Sequence, residues 1–85
     1  MYEILFTNRA EKDYYKIRKS QYWTKAKNLL TVLKNNPWQP PYEKLIDQEQ
    51  TYSRRINIQH RLVYKIYEQE KAIEIISMWN HYDDN

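Results

Sequence analysis

The sequence predicts one α+β domain over residues 1–85, with a strand and two helices leading into a three-stranded antiparallel meander. Three observations carry that expectation. Apolar residues recur at helical spacing from Arg9 to Lys34. The period changes to two after Thr51. Between the two regimes lies Trp38–Gln50, which contains Pro40 and Pro41 and reads as an ordered, irregular connection.

Met1–Phe6 reads as a short strand, with Ile4 and Phe6 on one face and Leu5 on the other. Thr7 and Asn8 both suit a helix N-cap, and Asn8 with Glu11 has capping-box spacing. The first helix runs from Arg9 to about Lys19, with Ala10, Tyr14 and Ile17 on its apolar stripe. A second runs from about Gln21 to Lys34, with Tyr22, Ala26, Leu29, Leu30 and Leu33 on one side. Asn35-Asn36-Pro37 stops it, because the residue before a proline avoids the α region. Thr51–Ile56, Arg61–Tyr67 and Ala72–Trp79 read as strands, with Asn57–His60 and Glu68–Lys71 as hairpin links. The order is therefore β-α-α-β-β-β. With no glycine in the chain, the turns must rely on Asn, Asp and Gln for left-handed backbone angles.

Two amphipathic helices can cover only one face of such a sheet. Leu62, Tyr64 and Ile66 form the apolar set that should meet them. Arg61, Val63, Lys65 and Tyr67 point the other way, toward an uncovered, concave face where a ligand can lie. A domain of 85 residues builds only a modest core. Nine Tyr, three Trp and one Phe fill it economically, and the tyrosines add polar groups beyond what packing requires.

The absence of cysteine excludes a disulfide framework, a thiolate metal site and a Cys nucleophile. The N-terminus lacks the pattern of a signal peptide, and no apolar run is long enough to span a membrane, so the expected location is the cytoplasm. The net charge of +3 is weak evidence of a nucleic-acid partner. Its distribution says more: from Tyr52 to Tyr67 the charged groups are Arg54, Arg55, Arg61 and Lys65, with His60 and no acid. Such a stretch supplies phosphate contacts and electrostatic steering.

Candidate chemical groups lie in three segments: Tyr42-Glu43-Lys44-Leu45, Ser53-Arg54-Arg55-Ile56 through His60-Arg61-Leu62-Val63-Tyr64, and Asn80-His81-Tyr82. The "SRRI…HRLVY" run, the "HY" pair about twenty residues later and the upstream "E-x-L" together resemble the YoeB/Txe toxins of the RelE superfamily. The resemblance covers nearly the whole chain. It implies the toxin of a type II toxin–antitoxin pair, a ribosome-dependent endoribonuclease that cuts mRNA in the A site. Cleavage uses the RNA's own 2′-OH against the adjacent phosphate, so no metal or other cofactor is implied.

Carried over by position, the resemblance makes Glu43 the carboxylate base and Arg61 the holder of the scissile phosphate. His81 becomes the general acid and Tyr82 the aromatic beside it. Arg55 falls near the substrate backbone, and Lys65 and Arg54 join it as candidate RNA contacts. Because Arg54 and Arg55 alternate faces, one enters the site and the other is a surface charge or a ribosomal RNA contact. Asp47 and Glu49 are alternative bases, since the loop before Glu43 departs from the family pattern. Asp83-Asp84-Asn85 is a second departure: acids beside His81 favour its protonated form and repel phosphate. His60 reads as structural or as an RNA contact, and Tyr64 and Trp79 as packing groups.

The implied partners are a cognate antitoxin, the ribosome with its mRNA, operator DNA only through the antitoxin, and a second copy as a homodimer. The antitoxin segment should be acidic and apolar, folding as it binds. The competing reading is a non-catalytic module of the same fold, acting as antitoxin partner and co-repressor. A nuclease acting on free RNA is a third.

Overall fold

The computed structural model describes residues 1–79. Its elements are β1 (Glu3–Phe6), α1 (Asn8–Arg18), α2 (Trp23–Asn35), β2 (Glu43–Lys44), β3 (Thr51–Arg55), β4 (Arg61–Tyr67) and β5 (Ala72–Ser77). The expected order stands with one addition, the two-residue β2 inside the long connection.

The five strands form one mixed sheet in the order β1-β5-β4-β3-β2. β3, β4 and β5 are the antiparallel meander, and β2 adds antiparallel to β3. β1 pairs in parallel with β5, with Ile4 beside Ile73 and Phe6 beside Ile75. Parallel neighbours need a long crossover, and here the helices and the rest of the sheet lie between them in the chain.

α1 begins at a cap formed by Thr7, whose Oγ1 accepts the Ala10 N–H at 3.0 Å. Asn8 is already helical, so the Asn8–Glu11 pair is not the cap. Ser20 then closes α1 and opens α2: its hydroxyl donates to the Ile17 carbonyl at 2.8 Å and accepts the Tyr22 N–H at 3.0 Å. α2 ends before Asn36, which is extended ahead of Pro37.

Ala10, Ile17, Ala26 and Leu33 of the helices pack with Leu62, Tyr64, Ile66, Ile73 and Ile75 of the sheet. Burying a side chain such as Leu33 or Ile73 contributes about 1.5–3 kcal/mol. The helices lie over β1 and β5. Over β3 the connection provides the second layer: Trp38, Tyr42 and Tyr52 meet edge to face, with ring centroids 5.4–6.2 Å apart.

The opposite face carries Arg61, Val63, Lys65 and Tyr67, as the alternation requires. It is less bare than expected, because Thr51, Ser53, Val63, Ala72 and Ser77 on this face are all buried. These are short side chains among longer neighbours at cross-strand and diagonal positions. Left-handed backbone occurs at Gln50 (φ 55°), as the glycine-free composition suggests, and at Lys71 (φ 52°), which it does not. No helix among the described residues is long and apolar enough to cross a membrane.

Candidate active site

The placement of Glu43 begins with a backbone bond. The Leu45 N–H donates to the Thr51 carbonyl at 2.9 Å, and the Leu45 side chain is buried, so the chain turns back alongside β3. That registers Glu43 opposite Ser53. On the far side of β3, Ser53 faces Val63 and Arg55 faces Arg61. Glu43, Ser53 and Arg61 thus share one face, with Arg61 diagonal to the serine.

Arg61 spans the group. Its Nε donates to Ser53 Oγ at 3.0 Å and its Nη2 to Glu43 Oε1 at 2.5 Å. The arginine side chain is 13% exposed, whereas that of Glu43 is 68% exposed. The cation is therefore held within the wall and the carboxylate stands at the solvent edge. They line a cleft of about 490 Å³ together with Ser53, Arg55, Tyr42 and Lys25. Asp47 and Glu49, the alternative acids, are exposed and do not line it. A guanidinium touching a carboxylate at the mouth of a basic cleft has the parts needed to hold a phosphate and take a proton.

The other candidates are distributed as follows. Arg55 is exposed and lines the cleft. Lys65 is half-buried on the same face, registered between Thr51 and Glu74. Arg54 also borders the cleft, but it is not the surface charge that the sequence allowed. It is 3% exposed and points to the helix side, where its donors are taken by Tyr64 and by carbonyls of the long connection. The reason is the alternation itself, which turns Arg54 inward beneath a loop rich in unpaired carbonyls. His81 and Tyr82 lie outside the described residues.

His60 is a packing residue. It is 4% exposed, stacked on Trp79 with centroids 4.2 Å apart, and edge-on to Tyr22 at 5.5 Å. Its backbone caps the β3–β4 link: Asn57 Oδ1 accepts the His60 N–H at 2.7 Å. Tyr64 is wholly buried, and that burial raises its pKa while the neighbouring Arg54 guanidinium opposes the shift. Among the described residues no three His, Asp or Glu side chains gather as a metal site would.

Sequence reasoning missed Asp13. This α1 carboxylate is 3% exposed, and its Oδ2 accepts the backbone N–H groups of Met78 at 3.0 Å and Trp79 at 3.2 Å. The signal was present, because Asp13 falls on the stripe of Ala10 and Ile17, where an acid is out of place.

Residues 6–82 match the profile of the YoeB-like toxin of bacterial type II toxin–antitoxin systems. The chain belongs to this family. Solved YoeB-type structures agree with it over almost their full length. The YoeB/ParE toxin from Agrobacterium tumefaciens superposes with a TM-score of 0.83 at 26% identity, covering 94% of this chain and 99% of that one. A chain of the YoeB–YefM complex from Staphylococcus aureus gives 0.78 at 32% identity, covering 96% and 99%. A chain of the E. coli DinJ–YafQ complex shares the fold, with a TM-score of 0.78 at 20% identity over 95% and 94%. No curated protein sequence matches the chain. As a YoeB-like toxin, it carries the carboxylate–arginine contact on the sheet face away from the helices.

Proposed function

We propose that this YoeB-like toxin is a ribosome-dependent endoribonuclease that cuts mRNA in the A site. The observation that carries the reading is the contact between Glu43 Oε1 and Arg61 Nη2 in a cleft also lined by Arg55. In the reaction, Glu43 takes the proton of the ribose 2′-OH as its oxygen forms a bond to the adjacent phosphorus. The bond from phosphorus to the 5′-oxygen breaks, and His81 gives that oxygen a proton. The products are a 2′,3′-cyclic phosphate and a 5′-hydroxyl. The 2′-OH supplies the nucleophile, which leaves the protein a base, a cation and an acid to provide. Arg61 holds the phosphate and the charge that develops on it, commonly the largest catalytic contribution. Tyr82 shapes the site beside His81, and Arg55 and Lys65 contact the RNA backbone.

The phosphate must share or replace Glu43 at the guanidinium, which frees the carboxylate to face the 2′-OH. An arginine fork accommodates this exchange because it binds carboxylate and phosphate in the same geometry. The reading places the protein in the cytoplasm, where ribosomes are. It also gives the toxin an antitoxin partner that neutralises it and carries it to operator DNA. The Staphylococcus aureus relative has been solved in complex with YefM and also as a dimer, which supports an antitoxin partner and self-association for this chain.

The test is purified toxin added to ribosomes translating a defined mRNA, with cuts mapped by primer extension and His81→Ala run beside the parent. New ends from the parent alone, on ribosomes, support the reading. Intact mRNA throughout favours the non-catalytic module, and equal cutting without ribosomes favours a nuclease of free RNA.

A further inference from the structure

A second heavily bonded arginine lies outside the catalytic contact. Arg54 is 3% exposed, and among the described residues no carboxylate pairs with it. A buried guanidinium is costly unless its N–H groups find acceptors. Here Nε donates to Tyr64 Oη at 3.0 Å, Nη1 to the Pro41 carbonyl at 3.0 Å, and Nη2 to the Pro37 and Gln39 carbonyls, each at 2.7 Å. The Tyr42 ring centroid lies 5.5 Å from the guanidinium carbon.

The three carbonyls belong to alternate residues of one segment. That segment contains Pro37, Pro40 and Pro41, which have no N–H to offer a neighbouring strand. It therefore cannot shape itself through a backbone ladder, and its carbonyls converge on a donor from elsewhere in the chain. The last of them, on Pro41, is two residues before Glu43. Glu43 is itself largely exposed and has little packing to fix it, so its location follows from the path of the backbone that delivers it.

We propose that Arg54 is a positioning residue for the toxin: by gathering the carbonyls of residues 37, 39 and 41 it sets the course of the connection and brings the Glu43 carboxylate against Arg61. The catalytic consequence rests on the proposed nuclease activity, while the structural one does not. Lysine is a poor substitute, because a single ammonium lacks the planar fork that reaches three carbonyls and a phenol oxygen together. Adjacent in sequence and opposite in face, both arginines border the cleft, Arg55 with an exposed side chain and Arg54 with its donors turned to the carbonyls of the connection.

The experiment compares the parent with Arg54→Lys and with the gentler Tyr64→Phe, which removes one acceptor from the guanidinium. Amide exchange is read at Lys44 and Leu45 and, as a reference, at Leu62 and Ile66. Cleavage is measured at saturating ribosomes, alone and in a Glu43→Gln background. Expected for Arg54→Lys is exchange faster by on the order of tenfold at 44–45 with the reference amides unchanged. Cleavage should fall about 10²-fold, the size of effect that misplacing a catalytic group by about 1 Å produces. Ribosome affinity should hold, and adding Arg54→Lys to Glu43→Gln should cost no further activity. Tyr64→Phe should move the same quantities less far.

Unchanged exchange at 44–45 in both variants overturns the proposal. So does equal acceleration at the reference amides, which marks general destabilisation. Weakened ribosome affinity with an unchanged saturated rate makes Arg54 an RNA contact after all, and a full multiplicative loss on top of Glu43→Gln shows that it does not act through Glu43. If the parent itself leaves mRNA intact, the nuclease reading fails, and the exchange data alone decide whether Arg54 holds the connection.

Discussion

The carboxylate of Asp13, on α1, accepts the backbone N–H of Met78 at 3.0 Å across 65 positions of sequence, and the Trp79 N–H at 3.2 Å. These bonds fasten the end of the meander to the first helix. Arg9 also approaches Asp13, at 3.3 Å, but its side chain is 56% exposed and the pair contributes little. Asp13→Ala would leave two N–H groups near the core without their acceptor. The expected loss is about 3 kcal/mol, or roughly 15 °C in melting temperature for a domain of this size. Asp13→Asn keeps a carbonyl oxygen in place and should lose about 1 kcal/mol. Thermal melts followed by circular dichroism check both values, and equal melting of Asp13→Ala and the parent would refute the anchor.

Glu43 and Arg61 should behave as a catalytic unit. Glu43→Gln keeps the shape and removes the base, so cleavage on ribosomes should fall roughly 10²–10⁴-fold with no loss of folded protein. Arg61→Lys keeps the charge and loses the fork that reaches Ser53 and Glu43 together, and should fall by a comparable factor. The double variant should be little worse than either single one. Single-turnover rates test the cycle, and losses that simply multiply would separate the two residues.

Arg55 and Lys65 should reveal themselves through salt. If each neutralises a phosphate, Arg55→Ala or Lys65→Ala reduces the slope of log affinity against log salt by about 1. Arg54→Lys should leave that slope alone. Ribosome binding across a salt series distinguishes these cases, and an unchanged slope for Arg55→Ala would remove it from the RNA interface.

Alkaline pH should destabilise the fold through Tyr64. Burial raises its pKa above the ordinary 10.0, with Arg54 partly opposing. As pH rises past about 10 the unfolded chain loses this proton while the folded chain keeps it. The unfolded state then binds fewer protons, so stability is complete below that pH and falls above it. Tyr67 acts with the same sign, because its hydroxyl donates to Glu74 at 3.0 Å and ionisation ends that bond. Denaturation midpoints on either side of pH about 10 should fall less steeply in Tyr64→Phe. At neutral pH that variant should be less stable by about 1–2 kcal/mol, since Arg54 loses an acceptor.

The element order was legible because it depends on local periods. Leu62, Tyr64 and Ile66 declare the buried face of β4 by alternation, and Ala26 and Leu33 the buried side of α2 by helical spacing. The split of Arg54 from Arg55 was legible for the same reason. Which of the two turned inward was not, because that depended on what lay above β3. β2 escaped detection too, since two residues carry no period and only pairing with Ser53 and Tyr52 defines them.

From the chain of letters came the strand and helix order, the apolar faces, the basic stretch from Arg54 to Lys65 and the family resemblance, all properties of neighbouring or regularly spaced residues. Folding alone decided how Glu43 meets Arg61 beside Ser53, that Arg54 is spent on carbonyls of residues 37–41, and that Asp13 reaches Met78. Each of these joins parts of the chain through the directional bonding of a charged group whose surroundings exist only after the core has closed.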